Sequence, residues 1–321
     1  MGPGTLGECC LRLEFLICGE PKDAFLSQGA IIRRQLDALG GDYARARLVF
    51  SLGTTEPAPL PARWVSYFDR IEVHYADPND VAERGIDAQC HLLWELLDPE
   101  AHVSVICDAD TLILRPFPAD LLEDVVASGA VYGAMAHYPP PLTHDGQSDV
   151  ARPQSPEDLW RFLGEHVLGR EIPLDHHYSL HTPRCPSPFY INHGVVMGRP
   201  KALQRLFRGV RDVMPRLQEV LFNDFSDQLG ITLAVVKDGL PARELPLRFN
   251  YPNDRAADAL HPEELTNLTV LHYLRTTHFD RHRIFHDKDA FADFLDADLV
   301  GSDAVFREHV RKLTHGTFPF P

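Results

Sequence analysis

The chain has 321 residues and carries 31 Lys plus Arg against 46 Asp plus Glu, a formal net charge of −15. That balance argues against a nucleic-acid binder, whose affinity comes from neutralising phosphates, but a divalent cation can invert the local sign and admit a phosphate-bearing ligand. With 44% hydrophobic and 24% charged residues there is enough apolar material for a sizeable core without staples, in one large domain or two fused halves.

The six cysteines, Cys9, Cys10, Cys18, Cys90, Cys107 and Cys185, show no CxxC spacing, so neither a structural zinc site nor a dense disulfide framework is expected. Glu8, Arg12 and Glu14 interrupt any apolar leader, and no run approaches the length of a membrane span. These features predict a cytoplasmic protein. Contact with a membrane surface stays open, although the acidic surface argues against a strong hold on anionic lipid.

In chain order, Leu11 to Cys18 reads as a first strand broken by Gly19, Glu20 and Pro21, and residues 23–39 as a helix ended by Gly40 and Gly41. Ala46 to Leu52 is a second strand. Strand, helix, strand in that order is a βαβ unit and points to a mostly parallel α/β sheet with flanking helices. Residues 53–63 read as a loop, Phe68 to Tyr75 as a strand and Ile86 to Leu97 as a helix. Val103 to Cys107 is a compact apolar run, as expected of a strand buried on both faces. Val131 to Ala136 follows as a strand. Between Pro139 and Pro188 there are nine prolines and several His and Asp residues around one amphipathic helix near 157–168. This stretch predicts a loop-rich insertion, too polar for core, where binding loops sit. Ile191 to Met197 is a strand in which Gly194 allows close approach of another group. Residues 200–222 and 227–236 are helical, Leu271 to Leu274 is a last strand, and Phe285, Phe291, Phe294 and Phe306 space out as helix faces in the tail.

Asp108-Ala109-Asp110 directly follows the apolar run Val103 to Cys107. In an extended segment, side chains two apart point the same way, and ligands of open α/β sheets bind beyond the carboxyl ends of strands. Two carboxylates crowded there repel unless a cation lies between them, and Mg²⁺ or Mn²⁺ fits oxygen ligands of this kind. The plainer alternative is that one Asp caps the next turn and the other is solvated.

The segment CDADTLILRPF resembles the DxD segment of GT-A-fold glycosyltransferases, in particular the glycogenin-like and lipopolysaccharide galactosyltransferase-like group, glycosyltransferase family 8. Four further segments resemble that group's motifs in the same order: Tyr190 to Val196, Ser226-Asp227-Gln228-Leu229, Leu245 to Tyr251, and Val270 to Leu274. The resemblance runs from about Leu11 to His272. It implies one GT-A catalytic domain over residues 1–321, with a nucleotide-sugar half at 1–136, the insertion at 137–188, an acceptor and metal half at 189–275, and a helical tail at 276–321.

The resemblance also implies roles. Asp108, Asp110 and His272 would hold Mn²⁺ or Mg²⁺, which would bridge the diphosphate of a nucleotide-sugar, a UDP-sugar or other NDP-sugar, as Lewis acid on the leaving group. His272 can otherwise be a core histidine in a chain with 17 of them. Asp227 and Gln228 would lie near the sugar in a retaining, front-face reaction, with helix capping by Ser226 or Asp227 as the alternative. Asn192 would hydrogen-bond sugar or acceptor and Gly194 would clear space, unless the pair simply marks a β-bulge. Cys18 and Gly19 end the first strand, where this fold cradles the base. Arg84 and Asp87 are donor-contact candidates, or else an exposed charge pair at a helix start. The acceptor, a glycan, glycolipid or small molecule, would sit under the insertion, near His176, His177 and His181.

One departure concerns the donor clamp. The group usually shows Lys-Pro-Trp after the last motif, its Lys gripping the diphosphate; here the chain reads Arg275-Thr276-Thr277-His278-Phe279-Asp280-Arg281, leaving Arg275 or Arg281 to substitute. His278, His282 and His286, four apart, would line one helix face, as a wet polar surface or as zinc ligands. Two rivals are a sugar-phosphate nucleotidyltransferase, which should carry a Gly-rich basic loop where Gly19-Glu20-Pro21-Lys22 stands, and a non-catalytic sugar-nucleotide-binding relative, which should have lost its metal ligands.

Overall fold

Apolar runs too short to be helices pair into sheets, and the order of that pairing decides where a ligand can sit. The computed structural model describes residues 11–56, 59–84, 93–142, 153–221 and 225–320. The N-terminal half runs β1 (Leu13–Gly19), α1 (Asp23–Leu39), α2 (Gly41–Ala44), β2 (Arg47–Leu52), α3 (Ala62–Val65), β3 (Glu72–Tyr75), α4 (Pro78–Arg84), β4 (Val103–Cys107), β5 (Thr111–Ile113), α5 (Ala119–Ser128) and β6 (Val131–Met135). After it come α6 (Pro156–Leu163), the short pair β7 (His176–His177) and β8 (Pro186–Ser187), β9 (Ile191–Gly198), α7 (Pro200–Val220) and α8 (Ser226–Asp238). The chain ends with β10 (Ala242–Leu245), β11 (Tyr251–Pro252), α9 (Arg255–Leu260), α10 (Pro262–Thr266), β12 (Val270–His272), α11 (Lys288–Asp296) and α12 (Gly301–Thr314).

The main sheet has seven strands in the order β10-β6-β9-β4-β1-β2-β3. All neighbours are parallel except β9, which runs antiparallel to both β4 and β6. The expected mostly parallel α/β sheet is therefore present, with one reversed strand between β6 and the central β4. A second sheet, β11-β12-β5, pairs β12 antiparallel to β5 and sets His272 opposite Thr111. Every residue of β4 is buried, because helices cover both faces there. Gly40, at φ 72°, closes α1 at the expected place.

Several expectations shift. The strand expected over 68–75 begins only at Glu72: Phe68 and Ile71 are buried, but they lie in the turns that enter it. Within the expected loop at 53–63, Ala62–Val65 opens a helical turn that buries Trp64. Of the helix expected over 86–97, residues 85–92 lie outside the described residues, and Leu93–Leu96 form a single 3-10 turn. The last strand stops at His272, short of the expected Leu274, although the Tyr273 amide still donates to the Asp110 carbonyl at 3.0 Å.

The insertion is more than polar loop. α6 and the π turn Gly164–Leu168 form where the amphipathic pattern lies, and Leu159, Trp160, Leu163, Ile172 and Tyr178 join Tyr190 and Leu233 in a core of their own. Trp160 donates its indole N–H to the Tyr178 hydroxyl at 2.7 Å, which removes the polar cost of burying both rings. In the tail, Tyr273 stacks on Phe306 at 4.6 Å, with Phe279, Phe285 and Phe294 around them. The C-terminal helices thus buttress the strand that carries His272.

His137, at the exit of β6, is buried; its Nδ1 pairs with Ser179 Oγ at 3.1 Å, and burial pushes its pKa down to about 3. A histidine held neutral in the fold takes up a proton only on unfolding, so stability falls as pH drops below the ordinary value of 6.5. The expected contribution is about 1.4 kcal/mol per pH unit. Denaturant titrations at pH 6 and 5 should show that difference shrink in His137→Gln, and an unchanged pH slope would contradict the account.

Candidate functional site

The site forms where β4 runs out. Asp108-Ala109-Asp110 is the turn from β4 into β5, closed by the Thr111 amide and hydroxyl on the Asp108 carbonyl at 3.2 and 2.7 Å. The two carboxylates converge through this turn rather than through the alternation of an extended strand. β12 then brings His272 beside them: Nε2 lies 3.1 Å from Asp110 Oδ1 and 3.4 Å from Asp108 Oδ2. One ligand atom from each of the three residues can be chosen so that all lie within 4.8 Å of one another. Asp108 is about a third exposed, whereas Asp110 and His272 are largely enclosed.

The ionisable groups of the cluster shift one another. Burial alone would raise the Asp110 carboxyl, but His272 and then Arg281 overcome it and hold it below its ordinary value. Burial opposes a charged imidazole at His272, yet Asp110, and after it Asp108, raise it above its ordinary value. Two carboxylates and an imidazole suit Mn²⁺ or Mg²⁺.

Gly194 explains how the imidazole gets so close. A Cβ there would stand 2.3 Å from His272 Nδ1 and 2.7 Å from Asn250 Oδ1, both buried. The close approach read from Gly194 is that of His272 and Asn250. The Gly194 carbonyl also accepts the Asp108 amide at 3.2 Å, tying the reversed strand to the acidic turn.

A cavity of about 710 Å³ opens over this cluster. Cys18 and Gly19 from the end of β1 line it with Asp108, Asp110 and His272, and Asp227 and Gln228 reach it from the first turn of α8. Gln228 Oε1 also accepts the His193 amide at 3.2 Å. Among the expected site residues, Asn192 is turned to an internal role: its Oδ1 accepts the Gly194 amide at 3.0 Å and Asn250 Nδ2 at 2.8 Å. Arg275 is off the cavity lining, paired with Asp254 at 3.0 Å, whereas Arg281 lines it. Arg84 ends α4, but its side chain, like all of Asp87, lies outside the described residues.

The spaced histidines are not on a helix. His278 pairs with Asp303 at 2.7 Å, His282 lines the cavity, and His286 is in neither arrangement. His177 and His181 line a separate cavity of about 450 Å³ with Ser179 and His261. Sequence reasoning missed His193, whose Nδ1 lies 4.0 Å from Asp108 Oδ1, and also Phe25 and Gln28 of α1, which line the cavity. The available signal was their place: a histidine inside the Tyr190 to Val196 segment, and helix residues one turn after β1.

The sequence matches no family profile and no curated protein. Solved structures do match. The galactosyltransferase LgtC, crystallised with donor and acceptor sugar analogues, is 15% identical, with 96% of this chain and 97% of that one covered at a TM-score of 0.55. An active-site mutant of LgtC matches at 15% identity and a TM-score of 0.54, over 93% of this chain and 95% of that one. The bifunctional glycosyltransferase WbbM in its apo form matches at 12% identity and a TM-score of 0.52, over 98% of this chain and 53% of that one. The chain therefore has the GT-A fold. Among the described residues, no helix is long and apolar enough to cross a membrane.

Proposed function

We propose that the protein is a metal-dependent glycosyltransferase of the family 8 type, moving a sugar from a nucleotide-diphosphate sugar, UDP-linked by preference, to a glycan, glycolipid or small-molecule acceptor with retention. The convergence of Asp108, Asp110 and His272 on one cavity at the end of the central strand carries this reading. Structures named as glycosyltransferases share the fold over nearly the whole chain. On this reading residues 1–321 form one catalytic unit.

Asp108, Asp110 and His272 would hold Mn²⁺ or Mg²⁺, which supplies charge neutralisation of the departing nucleotide diphosphate. Cys18 and Gly19 border the nucleotide end of the cavity. Asp227 and Gln228 face the sugar, where a carboxylate and an amide orient hydroxyls and stabilise developing positive charge. Asn192 and Gly194 act behind the cavity wall, setting Asn250 and His272. In place of Arg275, Arg281 is the cation facing the diphosphate.

Thermal unfolding with UDP and Mn²⁺ tests this directly. A ligand at 100 times its dissociation constant adds about 2.7 kcal/mol, so a clear rise in Tm is expected with both present and a smaller one with UDP alone. No shift with any nucleoside diphosphate would overturn the reading.

A further inference from the structure

The cavity is more acidic than a phosphate-bearing ligand tolerates unaided. Among the described residues lining it are four carboxylates, Glu20, Asp108, Asp110 and Asp227, and Arg281 is the only lysine or arginine. That single guanidinium is spent on the metal cluster itself. Its Nη1 is ion-paired with Asp110 Oδ2, while His272 takes the other oxygen, Oδ1. Both oxygens of the most enclosed carboxylate are thus in contact with nitrogen groups, and an ion bound there competes with them for the Asp110 charge.

The backbone beneath Arg281 is fixed by other contacts. Buried Gln28 donates to the Arg281 carbonyl at 3.3 Å, and Asp280 accepts the His282 amide at 2.9 Å. The His282 ring packs on Phe25 with centroids 6.0 Å apart. Among the described residues the guanidinium is held by Asp110 and by His282 at 3.2 Å, and the side chain is 26% exposed. A head group on a pinned backbone can exchange partners without moving the fold.

We propose that Arg281 is a resident counter-cation of the metal centre. In the free protein it is paired with Asp110, and when a divalent ion binds it would give up that carboxylate and turn onto the diphosphate of the ligand. The inference rests on the metal-dependent reading above and assigns this residue two successive partners. The exchange trades one charge-assisted pair for another, and guanidinium suits carboxylate and phosphate equally. A purely structural salt bridge would not couple the two ligands in opposite directions.

Isothermal titration with Mn²⁺ alone, and then with UDP at saturating Mn²⁺, tests this on the wild-type protein, Arg281→Gln and Arg281→Lys. Removing the competing cation is expected to tighten Mn²⁺ binding by about tenfold, and removing the phosphate partner to weaken UDP binding by about tenfold. Arg281→Lys, which keeps the charge and guards against a folding defect in the first variant, should stay near wild type for Mn²⁺ and lose part of the UDP affinity. Weaker Mn²⁺ binding in Arg281→Gln, or unchanged UDP binding, overturns the role of Arg281 while leaving the metal reading intact. Absence of Mn²⁺ binding in all three proteins overturns the metal reading and this inference with it.

Discussion

Replacing Asp110 with Asn is expected to lower kcat/KM for sugar transfer by about 10³-fold or more, equivalent to about 4 kcal/mol of transition-state stabilisation. The substitution preserves shape, and the Asp110 carbonyl that anchors Tyr273 is untouched, so the fold should survive. The loss is that of the negative charge which His272 and Arg281 both address. A neutral amide oxygen is a much weaker ligand for a divalent ion beside Asp108 and cannot balance a protonated imidazole. Donor hydrolysis and transfer assays with Mn²⁺, alongside circular dichroism, would check the effect. A variant retaining more than about a tenth of the activity would remove Asp110 from the proposed chemistry.

Gly194→Ala is expected to damage the site from behind. The added methyl would stand 2.3 Å from His272 Nδ1 and 2.6 Å from its Cε1, distances no packing tolerates. Either His272 retreats from the two carboxylates or β9 shifts away from β4. Overpacking of this kind costs about 1–3 kcal/mol, and a displaced ligand side chain should lower metal affinity by about 10–100-fold. Chemical denaturation and Mn²⁺ titration measure the two effects separately. Wild-type values in both would show that the backbone yields more easily than the geometry allows.

The acidic turn was legible because Val103 to Cys107, apolar but for Ser104, reads as a covered strand, and residues at the carboxyl end of such a strand face the cleft of an open α/β sheet. His272 was legible through its motif neighbours, and Gly194 through the absence of a side chain inside a strand. The reversal of β9 was not legible, since strand direction depends on pairing partners that local sequence does not encode. The choice between Arg275 and Arg281 was equally hidden. It turns on Asp254, which captures Arg275 within the C-terminal half, and on Gln28, which fixes the Arg281 backbone from the other end of the chain. The partners of Asn192 were hidden in the same way: its Oδ1 accepts the Gly194 amide and Asn250 Nδ2, and Asn250 lies 58 residues further along the chain.

The pairing of β12 with β5 has a temporal consequence. During synthesis Asp110 leaves the ribosome 162 residues ahead of His272, and the two meet only when that late strand docks beside the acidic turn. A nascent chain lacking it has the two aspartates without this imidazole, so on the proposed reading the three-residue site is assembled only at the end of folding.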